Sequence, residues 1–167
     1  MRILLIGDQG MLGTDLKTVL SEQHEMIACD KETVDITDRK SAQDCIMAAE
    51  PEVIVLAAGY TDVEGAEDEP QSTFLVNETG TRNVVSAAQD VGASLVYFST
   101  DFVFDGKKET AYTESDEPNP LSVYGRSKLA GEQQAKLAER HCIIRTAWLY
   151  GPRKANFVEK IVAFAKQ

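Results

Sequence analysis

The sequence predicts a three-layer α/β fold, a doubly wound parallel sheet with helices on both faces. Three observations predict it. Short apolar runs alternate with longer stretches of helical periodicity along the chain. The runs are continuously apolar rather than alternating, the pattern of strands buried on both faces. The first run ends in a glycine-rich turn that feeds directly into a helical pattern.

Taken in order, "RILLIG" (2–7) reads as the first buried strand. "MLGTDLKTVLSE" (11–22) places Leu12, Leu16, Val19 and Leu20 at helical spacing. "HEMIACD" (24–30) is a second strand and "VDI" (34–36) the stub of a third. Asp38 is placed to cap a helix through 39–49, which stops before Pro51. "EVIVLAAG" (52–59) is a fourth strand. A long helix then runs from near Pro70 to near Gly92, with Pro suiting the first turn and Gly the C-terminal cap. Glu67, Asp68 and Glu69 lie just ahead of it, where acids suit the positive end of the helix dipole.

"ASLVYFST" (93–100) is a fifth strand, and Asn119-Pro120 opens the helix that carries Tyr124 and Lys128. "HCIIRTAWLYG" (141–151) contains a sixth strand. "NFVEKIVAFAK" (156–166) is an amphipathic helix with Phe157, Ile161 and Phe164 on one stripe. With right-handed crossovers these elements make one domain over residues 1–167, with at least six parallel strands in the order 3-2-1-4-5-6.

A net charge of −10 argues against a nucleic-acid partner, whose phosphate backbone calls for clustered Lys and Arg. It leaves a nucleotide-sized ligand open, because backbone N–H groups can hold one. Cys29, Cys45 and Cys142 have no C-x-x-C spacing and read as reduced thiols of a cytoplasmic protein. His24 and His141 have no second ligand at a metal spacing, so no metal site is expected. The apolar run in "MRILLIGDQG" is too short for a signal peptide or a membrane span, so no membrane partner is expected.

The chemistry concentrates at strand ends. "GDQGMLG" holds Gly7, Gly10 and Gly13 between the first strand and the first helix. Glycines there allow a tight turn and close approach to a pyrophosphate seated on the helix N-terminus. This is the context of a Rossmann-type dinucleotide-binding loop. Asp30 ends the second strand, where a carboxylate can accept hydrogen bonds from ribose hydroxyls, although a turn aspartate reads equally well there. Lys31 beside it tolerates a 2′-phosphate, so NADH and NADPH both remain open. "YFSTDFVFDG" (97–106) puts Ser99, Thr100 and Asp101 at the carboxyl end of the fifth strand, the edge where open parallel sheets bind ligands.

Tyr124 and Lys128, in "SVYGRSKLAGE" (122–132), share one helix face with Cβ atoms about 5–6 Å apart. A cation beside a phenol favours phenolate, which would bring an acid–base group closer to neutrality. Alone, the pair also fits a half-buried aromatic beside a solvated lysine. The glycine loop, the Thr100 hydroxyl and the Tyr124/Lys128 face converge on one sheet edge, and that convergence favours chemistry.

On these residues the sequence resembles the extended short-chain dehydrogenase/reductases, and among them the dTDP-4-dehydrorhamnose reductase family. The matching stretches are "GDQGMLG", "AAGYTDVEGAEDEP", "VN" (76–77), "STDFVFDG", "YTE" (112–114), "NPLSVYGRSKLAGE" and "RTAWLYGP". The glycine and Tyr–Lys motifs are general to the superfamily; "STDFVFDG" followed by "NPLSVYGRSKLAGE" is far more specific. Phe102 departs from the tyrosine that the family often carries there.

The resemblance implies an oxidoreductase of nucleotide-sugar metabolism that reduces a 4-keto sugar with NADH or NADPH. It implies that Tyr124 is the general acid, that Lys128 holds the nicotinamide ribose and lowers the tyrosine pKa, and that Thr100 orients the keto oxygen. Gly10, Met11 and Leu12 would line the pyrophosphate, and Asp30, Asp35 and Ile36 would lie near the adenosine. Gly59, Tyr60, Thr61 and Phe98 would cover the cofactor, and Asp101 and Trp148 would touch the nucleotide sugar. The resemblance also implies a C-terminal substrate domain beyond Gln167. The expectation is therefore the cofactor-binding part alone, weakly active or inactive by itself, with a homodimer left open.

Three rivals follow. A dehydratase needs a glutamate after the Thr-Asp pair, and this sequence has Phe102 there. An epimerase also uses a Tyr–Lys pair and stays open. So does a cofactor-binding regulatory module resembling the methionine adenosyltransferase regulatory subunit.

Overall fold

A computed structural model describes residues 1–151 and 156–166. Pro152, at the end of the "RTAWLYGP" stretch, lies outside them. The sheet has five parallel strands, β1 (Arg2–Ile6), β2 (Glu25–Cys29), β3 (Val53–Leu56), β4 (Ser94–Thr100) and β5 (His141–Thr146). Their spatial order is β2-β1-β3-β4-β5. In register, Ile6 lies beside Cys29 and Leu56, so β1, β2 and β3 end at one level, while Leu56 lies beside Tyr97 and β4 runs on to Thr100.

Side-chain alternation divides the core in two. Leu4, Ile6, Ile54, Leu56, Leu95 and Tyr97 face one layer, where they meet Ile46 of α2 (Arg39–Ala49), Val84 and Ala88 of α5 (Thr81–Val91) and Ala135 of α6 (Val123–Ala135). Ile3, Leu5 and Val55 face the other, against Leu16 of α1 (Met11–Leu20). Leu4 and Leu5 are fully buried, each contributing about 1.5–3 kcal/mol relative to exposure.

The third strand, the "VDI" stub, is a correction. "VDI" forms no strand, and β2 is the sheet edge. Val34 and Ile36 are buried in the core as a strand's residues would be. The backbone around them, however, is taken by side chains. The Asp35 N–H donates to Ser41 Oγ at 3.0 Å, and the Thr37 N–H to Asp35 Oδ1 at 2.9 Å. Asn83 Nδ2, from α5, donates to the carbonyls of Ile36 at 2.9 Å and Thr37 at 3.2 Å. Without the stub, the predicted order becomes the observed one.

The helices agree with the sequence with three adjustments. Asp38 caps α2 by accepting the Lys40 N–H at 2.8 Å. The long helix from Pro70 is continuous, but it passes from α4 (Pro70–Phe74) through a π-helical segment, Leu75–Gly80, into α5, which ends at Gly92 in the left-handed region. The Tyr124 helix starts at Val123 with Ser122 as cap, later than Asn119-Pro120 suggested. Glu67, in the short α3 (Gly65–Asp68), does serve a helix N-terminus, but that of α6: its Oε1 accepts the Val123 N–H at 2.8 Å. In α7 (Phe157–Phe164) the stripe of Phe157, Ile161 and Phe164 is exposed.

Asn83→Ala removes the donor from two carbonyls in a buried segment. It should cost about 1–3 kcal/mol in urea unfolding. An unchanged midpoint would show that packing of Val34 and Ile36 alone holds the segment.

Candidate functional site

Short loops at the carboxyl ends of β1, β3 and β4, with the first turns of α1 and α6, surround one cavity of about 1310 Å³. Typical small-molecule pockets measure about 300–1,000 Å³, so a dinucleotide and a second ligand both fit. Every candidate catalytic, cofactor and substrate residue read from the sequence lines it, from Asp30 and Asp35 past the glycine loop to Thr100, Tyr124, Lys128 and Trp148.

The glycine loop is built by close approach. A Cβ on Gly13 would overlap the Gly7 carbonyl oxygen, so glycine lets α1 rest directly on the loop. The N–H groups of Gly7 and Asp8 both donate to the Cys29 carbonyl, at 2.7 and 3.1 Å, which ties the loop to the end of β2. Gly10 caps α1 without a side-chain oxygen, so the first N–H groups of the helix face the cavity as an anion cradle. This geometry fits a pyrophosphate. Asp8, given no role of its own within "GDQGMLG", is buried, and Lys17 Nζ donates to its Oδ2 at 2.6 Å.

At the far end, Asp30 and Asp35 each commit one oxygen to a local turn. Asp30 Oδ1 accepts the N–H groups of Glu32 at 3.0 Å and Thr33 at 3.2 Å. Asp35 Oδ1 accepts the Thr37 hydroxyl at 2.7 Å, and the Thr37 hydrogen bonds hold its carboxyl below the usual carboxylate range. Lys31 lines the cavity beside them.

The π segment positions the middle. Asn77, 2% exposed, accepts the Tyr60 N–H at 2.8 Å and donates to the Tyr60 carbonyl at 3.1 Å and to Ser127 Oγ at 2.9 Å. Ser127 donates to the Tyr124 carbonyl at 2.8 Å. The Gly59–Thr61 loop, the long helix and α6 thus meet on one side chain. The "VN" pair marked the position in sequence; its partners, 17 and 50 residues away, could not be read there.

Lys128 is not a solvated surface residue: it is 6% exposed. Its Nζ donates to the Phe98 carbonyl at 2.6 Å and sits 4.3 Å from the centre of the Tyr97 ring. Burial pushes its pKa down to about 8, with Glu132 working in the opposite direction. Tyr124 departs from the expectation that Lys128 draws the phenol toward neutrality. Burial raises its pKa, the nearby Thr100 hydroxyl works to lower it, and Asp101 adds to the rise. The ammonium serves Phe98 and Tyr97 instead. The result is a phenol that keeps its proton, beside a buried cation.

Thr100 Oγ1 donates to Asp101 Oδ1 at 3.0 Å and accepts the Phe102 N–H at 3.2 Å. It must turn from Asp101 to donate to a ligand. A Cβ on Gly125 would overlap the Phe102 carbonyl oxygen, so this glycine lets α6 close on the Thr100–Phe102 turn. Trp148, which alone would read as a core aromatic, is 74% exposed and lines the cavity. Its φ of +55°, rare for a bulky residue, is a strained backbone of the kind that clusters at ligand sites.

The sequence matches the family described as RmlD substrate binding domain over residues 1–167. It is 38% identical to a dTDP-4-dehydrorhamnose reductase of Sinorhizobium fredii, over 99% of this chain and 56% of that protein. It is 40% identical to a dTDP-4-keto-6-deoxy-D-glucose reductase of Streptomyces niveus, over 96% of this chain and 57% of that one. Among solved structures, the dTDP-4-dehydrorhamnose reductase of Bacillus anthracis in complex with NADP superposes with a TM-score of 0.96 at 40% identity. That match covers 99% of this chain and 59% of the other. The chain thus spans less than three-fifths of the length of these relatives.

The raised phenol is directly testable. A free tyrosine titrates near about pH 10. Tyr124 should contribute no phenolate absorbance between about pH 7 and 9, so Tyr124→Phe should leave that region of the curve unchanged. A tyrosine step near neutrality that disappears in Tyr124→Phe would reverse the assignment.

Proposed function

The chain belongs to the RmlD substrate binding domain family, and we propose that it supplies the cofactor site and the proton donor of an NAD(P)H-dependent reductase acting on a nucleotide sugar. The reaction proposed is reduction of the 4-keto group of a dTDP-4-dehydro-6-deoxy sugar, dTDP-4-dehydrorhamnose to dTDP-L-rhamnose, in polysaccharide precursor synthesis. One observation carries the reading: a protonated phenol, Tyr124, beside a buried ammonium, Lys128, at the mouth of a dinucleotide-sized cavity. Named relatives support the sugar class.

When bound, the nicotinamide supplies hydride to the carbonyl carbon. The chain's own residues do the rest. The N-terminal turn of α1 and the glycine loop would hold the pyrophosphate. Lys128, kept in place by Phe98 and Tyr97, would hydrogen-bond the nicotinamide ribose. Tyr124 O–H gives its proton to the carbonyl oxygen as negative charge develops there, and a phenol that stays protonated past neutrality suits that role. Thr100, once released from Asp101, donates a second hydrogen bond to the same oxygen. Asp101 and Trp148 contact the sugar nucleotide at the open end. A net charge of −10, with no helix among the described residues long and apolar enough to cross a membrane, fits a small-molecule enzyme. The free thiols Cys29, Cys45 and Cys142 fit a cytoplasmic setting.

Asp30 opposes a 2′-phosphate, but Oδ1 is committed to its own turn and Lys31 lies alongside. Calorimetry should therefore find both NADH and NADPH bound to this chain, within about tenfold of each other, or 1.4 kcal/mol. Asp30→Ala should shift the ratio toward NADPH. Binding of neither would remove the cofactor reading.

In an active reductase carrying this sequence, Tyr124→Phe should lower steady-state reduction of the keto sugar by about 10²–10⁴-fold. Cofactor affinity should be nearly unchanged. Stoichiometric consumption of NADPH separates reduction from epimerisation. Wild-type turnover in the Phe variant would leave Tyr124 and Lys128 as mere neighbours on a helix.

A further inference from the structure

Glu132 lies one turn beyond Lys128 on the same face of α6, and it is fully buried. Its two carboxylate oxygens accept from one guanidinium: Arg145 Nε at 2.8 Å and Nη2 at 2.7 Å. Glu132 makes no ion pair with Lys128, whose Nζ donates to the Phe98 carbonyl instead. Arg145 is held in turn by aromatic rings. Its guanidinium carbon lies 4.9 Å from the centre of the Phe104 ring, and Phe104 stacks on Tyr112 with centroids 4.2 Å apart.

An ammonium buried without a counter-charge tends to lose its proton. A carboxylate in direct contact would keep the charge but pull Nζ away from the cavity. Glu132, clamped by Arg145, supplies the charge without drawing Nζ off the Phe98 carbonyl.

On the footing of the reductase reading, we propose that Glu132 is a positioning residue. It is the buried counter-charge that keeps Lys128 cationic for the cofactor ribose, and Arg145 holds it short of a direct ion pair. The groups that face Lys128 leave Glu132 that role. Tyr124 on α6 and Tyr97 on β4 are neutral phenols at ordinary pH, both raised by burial. The π segment presents the neutral Asn77, and the loop after β3 presents Gly59, 3.8 Å from Nζ at its Cβ position. Asp101 lies toward Tyr124, and Arg145 reaches Lys128 only through Glu132. Burial works to raise the Glu132 carboxyl, but the Arg145 hydrogen bonds and charge help to hold it below its ordinary value, so it stays ionised.

The test is carbon NMR of the 167-residue chain with labelled lysine and glutamate, read beside NADPH fluorescence titrations across pH. In the wild type, Lys128 Cε should titrate near pH 8 and Glu132 Cδ should stay ionised through neutrality. Glu132→Gln keeps the shape and removes the charge, so Lys128 should titrate at lower pH. For a one-unit fall, NADPH affinity near pH 8 should drop roughly fivefold, a deficit that shrinks toward pH 6 as Lys128 regains its proton. Glu132→Asp, which retains the charge, should restore most of the Lys128 titration.

A loss of affinity equal at all pH values, with Lys128 unmoved, would assign Glu132 a merely structural role and overturn the proposal. A protonated Glu132 at neutral pH in the wild type would overturn it even if the Gln variant fails to fold. A wild-type chain that binds no NADPH at any pH would refute the cofactor reading separately, because the lysine titration needs no cofactor.

Discussion

The site depends on the three hydrogen bonds made by the buried amide of Asn77. They join the loop after β3, the long helix and the Tyr124 helix at one point. A buried amide must satisfy its donors and acceptor or lose much of its solvation. Here it does so only if Tyr60 and Ser127 arrive together. The π-helical segment is what makes this geometry available. An uninterrupted α-helix would follow a different register through Leu75–Gly80, whereas a π turn commonly re-aims side chains at functional sites. Ser127 then carries the constraint to the Tyr124 carbonyl, so the phenol inherits its place from a residue on another element.

Burial acts on the two central groups in opposite senses, and both outcomes are useful. For Tyr124 the neutral acid is favoured and the phenol keeps its proton. For Lys128 the neutral base is favoured and the pKa falls to about 8. The pair is therefore not a phenolate held by a cation. It is a neutral phenol, the form the proposed reduction would draw a proton from, beside an ammonium whose desolvation Glu132 is proposed to offset in part. The difference matters for reduction, where oxygen gains a proton and a phenolate would have none to give.

The layering and the strand order were legible in the sequence because continuous apolar runs report burial on both faces. "VDI" misled for a physical reason. Its side chains are buried like a strand's, but its backbone partners are Ser41 and Asn83, up to 47 residues away. Apolar pattern reports where a side chain goes and is silent on what the backbone bonds. The Tyr124 helix shows the limit more sharply. Its buried face consists of Val123, Gly125, Ser127, Lys128, Gly131, Glu132 and Ala135. Three of these are polar and two have no side chain, so hydrophobic periodicity cannot locate the face. A motif could identify Tyr124 and Lys128 and mark the positions of Glu132 and Asn77, while the partners of those two, Arg145, Tyr60 and Ser127, needed the packed structure.

The acidity of the protein raises a problem that the geometry answers. A chain of net charge −10 is proposed to hold a pyrophosphate close to three carboxylates, Asp8, Asp30 and Asp35. Like charges that close would oppose binding. Asp8 is not among the residues that line the cavity, and its charge is matched by Lys17 at 2.6 Å. Asp30 and Asp35 each spend an oxygen on N–H and hydroxyl donors of their own turns, which disperses charge at the adenosine end rather than at the phosphates. Attraction then comes from oriented backbone dipoles at the start of α1, which need no lysine or arginine. The sign of the net charge argues against a polyanion spread over the surface. It does not exclude a short anion whose whole contact lies inside one ring of N–H groups.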